Sequence, residues 1–388
     1  MTALTSTLET WFLPDLGGTI PSRQIVRRYA AALCFTVALG LYVAAPPVSS
    51  PLLSLAWAFM LLGAVLGTPT LGERRTFSLL LLVIISAVIA IPISHWFVAD
   101  PWVLTAIVAL SVLPMIAFYL AAEARLILPM LVPVALVHAL WVLWQGIEQG
   151  AVRATGLTTN ANAAAGILLI GAVVVLPNRR LRWLGLPLLM AVPFTGTRGI
   201  TGLAAVLMVG MALAGLLPWR TLCILVATVF VATVPWWNLI DAGYRWNDVP
   251  PPPGQITQHA SAIFRTWAPP ITANGNEPEL IRNALTSLYR RWDGQAVPTI
   301  LPRGYTEPGT PHNVPWRIAV ELGIPSGLAW VYLSVRALRQ RSIRDTQWWL
   351  LLAIVLMGQL YYWFAWLGLA GALWWMLVRR PENAPRGA

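Results

Sequence analysis

The chain has 388 residues, of which 57% are hydrophobic and only 11% are charged, and its formal net charge is +11. A soluble globular domain usually carries about 25% charged residues, so this composition excludes a soluble enzyme or a soluble binding domain. The positive charge does not indicate nucleic-acid binding, because arginines in the cytoplasmic loops of a membrane protein produce the same excess. We therefore expect a polytopic protein whose main partner is the lipid bilayer.

Apolar runs long enough to cross a bilayer as helices recur along the chain. Such a helix needs about 20 apolar residues, because the hydrocarbon is about 30 Å thick and each residue advances a helix by about 1.5 Å. The sequence therefore predicts an all-α fold with about twelve transmembrane helices, with ten or eleven as the alternatives. The predicted spans are 29–46, 51–67, 77–98, 102–121, 126–146, 161–177, 183–195, 200–217, 221–239, 313–335, 346–361 and 363–378.

Arginines set the orientation of these spans. Loops rich in arginine stay on the cytoplasmic side, and alternate loops here carry most of the basic residues. Both termini are then predicted to be cytoplasmic. The chain divides into a cytoplasmic segment 1–28, a bundle 29–239 containing nine spans, an extracytoplasmic loop 240–311, a second bundle 312–378 and a cytoplasmic tail 379–388.

The extracytoplasmic loop between spans 9 and 10 contains one predicted helix. Asn276 can cap its start, and Glu277 and Glu279 are carboxylates that suit the positive end of a helix dipole. The apolar residues that follow share one face, which predicts an amphipathic helix near 277–292. We expect this helix to lie on the membrane surface or to cap the bundle.

Two short polar motifs begin predicted spans on the outer side. The motif 195–199 places Arg198 at the membrane boundary, where the fork of its guanidinium can bind a phosphate or diphosphate. The alternative is that Arg198 binds no ligand and only extends its charged group from the membrane boundary into water. The motif 156–163 contains Asn160 and Asn162; one amide can cap the helix, and the other can bind sugar hydroxyls or orient an arginine.

The start of span 10 carries a third polar motif. His312 lies at the water boundary, and histidine is the side chain best matched to proton transfer near neutral pH. A helix-end residue without a catalytic role is the alternative. Asn313 follows directly, and Arg317 and Glu321 lie four residues apart on one helix face. These two charges are predicted to form a structural pair that neutralises itself.

Metal ligands and covalent nucleophiles are not predicted. Cys34 and Cys223 lie within apolar runs, and His95 and His259 have no carboxylate or cysteine at a metal-ligand spacing. No acidic pair of the Asp-x-Asp type is present to hold a divalent ion. His138 lies in the middle of a span, where we expect a neutral hydrogen bond between helices. We therefore predict neither a metal nor a cofactor.

The order of the polar motifs resembles the O-antigen ligase and O-antigen polymerase superfamily of bacterial membrane glycan transferases. The resemblance covers 150–335, and two departures from the family pattern are a loose Pro302-Arg303-Gly304 and the lack of a tryptophan one turn after Arg282. The matching segments are Gly156 to Ala163, Thr197-Arg198-Gly199, Arg282-Asn283-Ala284-Leu285, and His312-Asn313 with Glu321, Gly323, Ile324 and Gly327.

The resemblance implies transfer of a glycan from an undecaprenyl-diphosphate carrier to an acceptor hydroxyl at the periplasmic face of the bacterial inner membrane. Arg198 and a loop arginine would hold the leaving diphosphate without a metal. That loop arginine is Arg282 in our first assignment, with Arg265 and Arg290 as the alternatives. His312 would accept the proton of the acceptor or orient its hydroxyl, with inversion at the anomeric carbon.

The asparagines Asn160, Asn162 and Asn313 would contribute to substrate binding in this interpretation. The acceptor stays open between the lipid A core, the growing glycan, and a pilin or other protein. A flippase or transporter of lipid-linked oligosaccharides is the alternative from a different functional class. Such a transporter should line its midplane with charge, whereas the polar motifs here gather on one side.

Overall fold

The computed structural model describes residues 22–44, 51–67, 74–94, 116–148, 154–158, 160–241, 299–302, 313–360 and 369–379. Within these ranges all regular secondary structure is helical, which confirms the all-α fold class for this part of the chain. The predicted loop 240–311 lies outside the described residues apart from its ends at 240–241 and the segment 299–302, and so does the amphipathic helix predicted near 277–292.

The helices coincide with most of the predicted apolar spans, while residues 102–115 of the fourth span and 363–368 of the last lie outside the described residues. A 3-10 turn, Arg182–Leu184, leads into α6, and residues 116–121 are helical as well. The helices are α1 (Ser22–Ala44), α2 (Pro51–Leu66), α3 (Arg74–Ser94), α4 (Ala124–Ile147), α5 (Ala161–Val175), α6 (Gly185–Phe194), α7 (Arg198–Leu213), α8 (Trp219–Asp241), α9 (Val314–Leu322), α10 (Ile324–Arg339), α11 (Thr346–Leu360) and α12 (Leu369–Leu377).

Two of the described helices, α1 and α4, are long and apolar enough to cross a membrane. Several others are apolar but shorter, such as α5 with 15 residues and α7 with 16. Almost every residue of α5 is buried, including small residues such as Ala164, Gly171 and Ala172. A helix that is apolar on all sides belongs in the interior, so α5 forms the centre of the packing.

The predicted span 313–335 is not one helix. It is divided at Gly323 into α9 and α10, because the backbone of Gly323 has φ +91°, which no helical residue adopts. Hydropathy reports the length of an apolar run and not the direction of its backbone. The sequence pattern therefore predicted one continuous helix here. This division positions one of the polar motifs described below.

Arginine side chains close one end of the bundle. Arg27 donates to two carbonyls in the last turn of α2, at 2.7 and 2.8 Å, and Arg28 forms a bidentate ion pair with Glu123 just before α4. Arg379 donates to carbonyls of residues 119, 120 and 122 at 3.1–3.3 Å. Arg341 donates to the carbonyl of Arg379 at 3.0 Å. Guanidinium groups here satisfy carbonyls that helix ends leave without partners. We call this the arginine end.

Burial at the arginine end affects the charge of Arg341. Its removal from water lowers the pKa of the guanidinium to about 10, while the nearby carboxylate of Asp345 acts in the opposite direction. A pKa of about 10 is still well above neutral pH, so Arg341 carries its charge there. The charge is held by the carbonyls of Ala337 and Arg379, at 2.9 and 3.0 Å.

Candidate functional site

The polar motifs lie at the end of the bundle opposite the arginine end. Helix α4 starts beside Glu123 at the arginine end and extends for 24 residues, which is about 36 Å at 1.5 Å per residue. In its last turn, Gln145 bonds to the loop that leads into α5. Ala154 of this loop donates to the carbonyl of Phe194 at 3.0 Å, directly before the turn that begins α7. The starts of α5 and α7 are therefore neighbours.

The start of α9 lies at this same end. Trp349, near the start of α11, lies against Gly210 near the end of α7, where an added Cβ would be 2.6 Å from the indole. The start of α11 also lines a groove with Arg125 and Asn178 at the arginine end, and its 15 residues extend about 22 Å, so α11 ends towards the other end of the bundle. The amide of Asn313 donates to Gln359 Oε1, in the last turn of α11, at 2.5 Å. All three polar motifs thus share what we call the polar end.

Asn160 caps helix α5. Its Oδ1 accepts hydrogen bonds from the backbone N–H of Asn162 at 2.8 Å and of Ala163 at 3.4 Å. The sequence left the capping role open between the two asparagines, and the structure gives it to Asn160. A side chain that caps a helix has its oxygen occupied, and the substrate contacts predicted for Asn160 and Asn162 stay predictions.

Two side chains of α4 hold the loop before Asn160. Gln145 Oε1 accepts from the N–H groups of Thr155 at 3.1 Å and Gly156 at 2.8 Å. His138, which is fully buried, accepts from the N–H of Leu157 through Nδ1 at 3.1 Å. An acceptor nitrogen carries no proton, so the imidazole is neutral with its proton on Nε2. The neutral hydrogen bond expected for His138 is present, and the N–H that it accepts belongs to a loop.

Gly156 makes this contact between loop and imidazole possible. Its φ is +62°, in the left-handed region, and a Cβ at this position would lie 2.3 Å from the imidazole ring of His138. Glycine is the residue that satisfies both demands, the positive φ and the close approach. The backbone fixed in this way determines where the start of α5 presents its two amides.

Buried hydroxyls shape the turn before α7. Thr195 Oγ1 donates to the carbonyl of Val192 at 2.6 Å, and it lies 2.5 Å from Thr197 Oγ1. Since Thr195 uses its proton on the carbonyl, Thr197 must be the donor between the two hydroxyls. Gly196 between them has φ +64°. This turn starts α7 at Arg198, whose side chain lies outside the described atoms, so the role of its guanidinium stays a prediction.

Helix α9 begins with a buried asparagine and contains a buried charge pair. Asn313 is 1% exposed, and its Oδ1 accepts from the N–H of Trp316 at 3.0 Å, so it caps the helix while its amide holds α11. Arg317 Nε lies 2.7 Å from Glu321 Oε1, as the four-residue spacing predicts. Glu321 is 1% exposed. A carboxylate at this depth requires a cation beside it, which is consistent with a structural pair.

The break at Gly323 lies against the far end of the large loop, which runs along the surface there, with Ile300 and Leu301 exposed. The N–H of Ile324 donates to the carbonyl of Thr299 at 2.8 Å, and a Cβ on Gly323 would lie 2.5 Å from the carbonyl oxygen of Ile300. Residues 299–302 therefore pass directly beside the residue that ends α9. The helix break therefore supplies an N–H group to the irregular backbone of this segment.

Several predicted site residues cannot be placed. His312, Arg282, Arg265 and Arg290 lie outside the described residues, so their roles stay predictions. Two amides that sequence reasoning missed, Gln145 and Gln359, are the partners that hold the polar motifs in place. In the sequence, each is a single glutamine in the last turn of an apolar helix. A glutamine at that position is equally well explained by contact with water or lipid head groups, so it does not by itself indicate a protein partner.

Comparison with known proteins gives no independent assignment: no family model and no curated protein matches this chain. Among the described residues, no group of three or more His, Cys, Asp or Glu side chains could hold a metal ion. The described polar side chains at the polar end are amides, hydroxyls, the imidazole of His138 and the Arg317–Glu321 pair. Such groups bind sugars and phosphates through hydrogen bonds.

Proposed function

We propose that the chain is a bacterial inner-membrane glycosyltransferase of the O-antigen ligase type. It would cross the bilayer about twelve times, with the arginine end in the cytoplasm and the polar end facing the periplasm. The observation that carries this proposal is the joint position of three separate motifs, around Asn160, Arg198 and Asn313, at the end opposite the arginines. The outer two, around Asn160 and Asn313, are more than 150 residues apart in the chain, and a shared binding site would account for their position at one end.

The proposed chemistry divides the reaction between arginines and a histidine. Arg198 and a loop arginine, with Arg282 first and Arg265 or Arg290 as alternatives, bind the diphosphate of the donor and stabilise the charge that develops as it leaves. Such preorganised donors typically contribute about 3–4 kcal/mol each. His312 accepts the acceptor proton or orients the hydroxyl for attack from the opposite face. His312 adjoins Asn313, whose bond to Gln359 fixes the start of α9.

The acceptor would be identified in a deletion strain. Free lipid-linked repeats with unmodified lipopolysaccharide indicate a ligase, and loss of long glycan chains with short units retained indicates a polymerase. A changed pilin mass indicates a protein oligosaccharyltransferase. These three outcomes separate the acceptors within the superfamily.

A transporter of lipid-linked oligosaccharides is the second candidate, and the break at Gly323 is the observation that favours it. Transporters commonly build their binding sites from helices interrupted within the membrane. Purified protein in liposomes distinguishes the two functions. A transporter moves labelled lipid-linked glycan between leaflets without forming a new glycosidic bond, whereas a transferase forms the bond in nanodiscs, where no second compartment exists.

The proposed transferase activity has a direct test in Arg198→Lys, because lysine keeps the charge and loses the planar fork. Transfer from an undecaprenyl-diphosphate glycan in nanodiscs should fall by roughly ten- to a hundredfold, since a charge-assisted hydrogen bond is worth about 1.5–3 kcal/mol. Arg198→Ala should lose more, and His312→Ala should abolish turnover while donor binding persists. Arg220→Lys, at an exposed arginine of the other end, is the matched control and should leave transfer unchanged.

Two outcomes would contradict the assignment. A lysine variant of Arg198 that is as active as the parent removes this residue from the site. Equal losses in the Arg198 and Arg220 variants would show that the effect is general and not local. Expression level and melting temperature are matched before rates are compared, so that a folding defect is not taken for a catalytic one.

A further inference from the structure

Two adjacent residues in the last turn of α4 contact two different parts of the polar end. Gln145 Oε1 accepts from the N–H groups of Thr155 and Gly156, at 3.1 and 2.8 Å, in the loop that leads into α5. The next residue, Gly146, is buried against the ring of Phe194, the last residue of α6. A Cβ at Gly146 would collide with this ring. One turn of α4 therefore holds the entry to α5 and the segment directly before α7.

These two parts are also bonded to each other, which closes a set of three contacts. The N–H of Ala154 donates to the carbonyl of Phe194 at 3.0 Å. The loop before α5 is thus joined to α4 through Gln145 and to α6 through Ala154, while α6 is joined to α4 at Gly146. We call this arrangement the three-way contact. Segments that are joined pairwise cannot shift one at a time, because a displacement of one strains both of its contacts.

The three-way contact adjoins two motifs of the proposed site along the chain. Phe194 is four residues before Arg198, and two buried threonine hydroxyls fix the turn between them. Gly156 is four residues before Asn160, which caps α5. The position of the start of α5 relative to the start of α7 is therefore set in the last turn of α4, which carries none of the predicted site residues.

The amide oxygen of Gln145 is the chemical requirement of this arrangement. Gly156 is buried and Thr155 is half-buried, and both N–H groups bond to the same oxygen. A buried N–H group that loses its acceptor costs about 1–3 kcal/mol, so without this oxygen the loop must move to reach other acceptors. Such a movement would be carried to α6 through the bond of Ala154.

We propose that Gln145 is a positioning residue for donor binding. It holds the starts of α5 and α7 as one unit that binds a single lipid-linked glycan, with sugar hydroxyls at α5 and the diphosphate at α7. This role rests on the proposed transferase function and concerns its donor-binding part. Gln145 acts through the backbone of the loop, since its oxygen accepts from two N–H groups of that loop. A displacement of about 1 Å in a site can cost a factor of about 100 in rate, so the loss of this contact is measurable.

The first measurement is the affinity of the purified full-length protein for undecaprenyl diphosphate in nanodiscs, with no acceptor present. Gln145→Met keeps the length of the side chain and lacks the accepting oxygen. It should weaken binding by roughly ten- to a hundredfold, the value of one charge-assisted hydrogen bond to the diphosphate. Gly146→Ala, which displaces Phe194 instead, should weaken binding to a similar extent. Gly202→Ala, inside α7 with nothing within 4 Å of an added Cβ, is the matched control and should bind like the parent.

The second measurement is amide hydrogen exchange without any ligand, which shows whether the two parts move together. In Gln145→Met, exchange should quicken at residues 155 and 156, which lose their acceptor, and also at the turn 195–197. Gln145→Glu keeps an accepting oxygen and should restore the parent exchange at both places. A purely local role of Gln145 would change residues 155 and 156 alone, so the turn 195–197 separates a local role from positioning of the whole unit.

Three results would overturn the role of Gln145. These are parent-like affinity of Gln145→Met at a matched melting temperature, faster exchange confined to residues 155 and 156, and an equal loss of affinity in Gly202→Ala. If Gln145→Met does not fold, Gly146→Ala decides in its place. A parent protein that binds no undecaprenyl diphosphate contradicts the proposed transferase itself. A parent that binds and transfers while Gln145→Met does so equally well contradicts only the positioning role, so the two failures are recognised separately.

Discussion

Replacement of Gly323 by alanine should destabilise the protein, whereas the same replacement at Gly202 should not. Gly323 has φ +91° and ψ 154°, a conformation that is essentially restricted to glycine and costs other residues about 1–3 kcal/mol. The added methyl group would also lie 2.5 Å from the carbonyl oxygen of Ile300, a backbone atom that cannot rotate away. Segment 299–302 would have to move, and its bond to Ile324 would weaken.

Gly202 provides the matched control because it lies inside α7 with nothing within 4 Å of an added Cβ. Alanine in such a helical position is favoured over glycine by about 0.5–1 kcal/mol. The free energies of unfolding of Gly323→Ala and Gly202→Ala should therefore differ by about 1.5–4 kcal/mol, with opposite signs relative to the parent. Thermal melts and denaturant titrations in one detergent measure this difference.

The same variant pair tests the contact between the loop and the helix break. A cysteine introduced near 300 should react faster with a soluble thiol reagent in Gly323→Ala than in Gly202→Ala, because the segment is displaced in the first variant only. If Gly323→Ala were as stable as Gly202→Ala, the break would not require glycine, and our account of why α9 and α10 are separate helices would be wrong.

Three further changes test other parts of the structure. Glu321→Ala should cost up to about 3–5 kcal/mol of stability, because it removes the carboxylate beside Arg317. The double variant with leucine at positions 317 and 321 should recover most of this loss. An unchanged melting temperature for Glu321→Ala would contradict the structural pair. Asn160→Ala should cost about 1 kcal/mol, whereas Asn160→Ser, which keeps a capping oxygen, should melt close to the parent. In intact spheroplasts, an impermeant maleimide should label a single cysteine at Asn274 and not one at Ser342, and the reverse pattern would invert the proposed topology.

Helix positions followed from the sequence because apolar length is a strong signal. The predicted span 161–177 corresponds to α5 and 200–217 to α7, with small shifts at the ends. Those shifts arise at turns such as Thr195 to Thr197, where hydroxyls and glycine stop a helix although the residues are not strongly polar. Hydropathy averages over such details.

Hydropathy could not predict the break at Gly323 or the hydrogen bonds of the Gln145 and Gln359 side chains. A single glycine within an apolar run is ordinary in membrane helices, and only the approach of Ile300 reveals why this one is needed. Gln145 and Gln359 act on residues that are 10 and 46 positions away, so no local pattern identifies their partners. The type of interaction predicted for His138 is correct, because a buried imidazole needs a hydrogen bond. The periodicity of the sequence does not indicate that a loop provides the partner.

The bond between Arg379 and the carbonyl of Ala122 has a consequence for biogenesis, because it joins residues 257 positions apart. A ribosome that adds about 5–20 residues per second makes Ala122 roughly 13–50 s before Arg379. During that interval the carbonyls of residues 119, 120 and 122 need other partners, such as water. The bonds of Arg27 and Arg28 join residues only 38 to 95 positions apart and can form first, so the arginine end is begun early and completed only when Arg379 has been made.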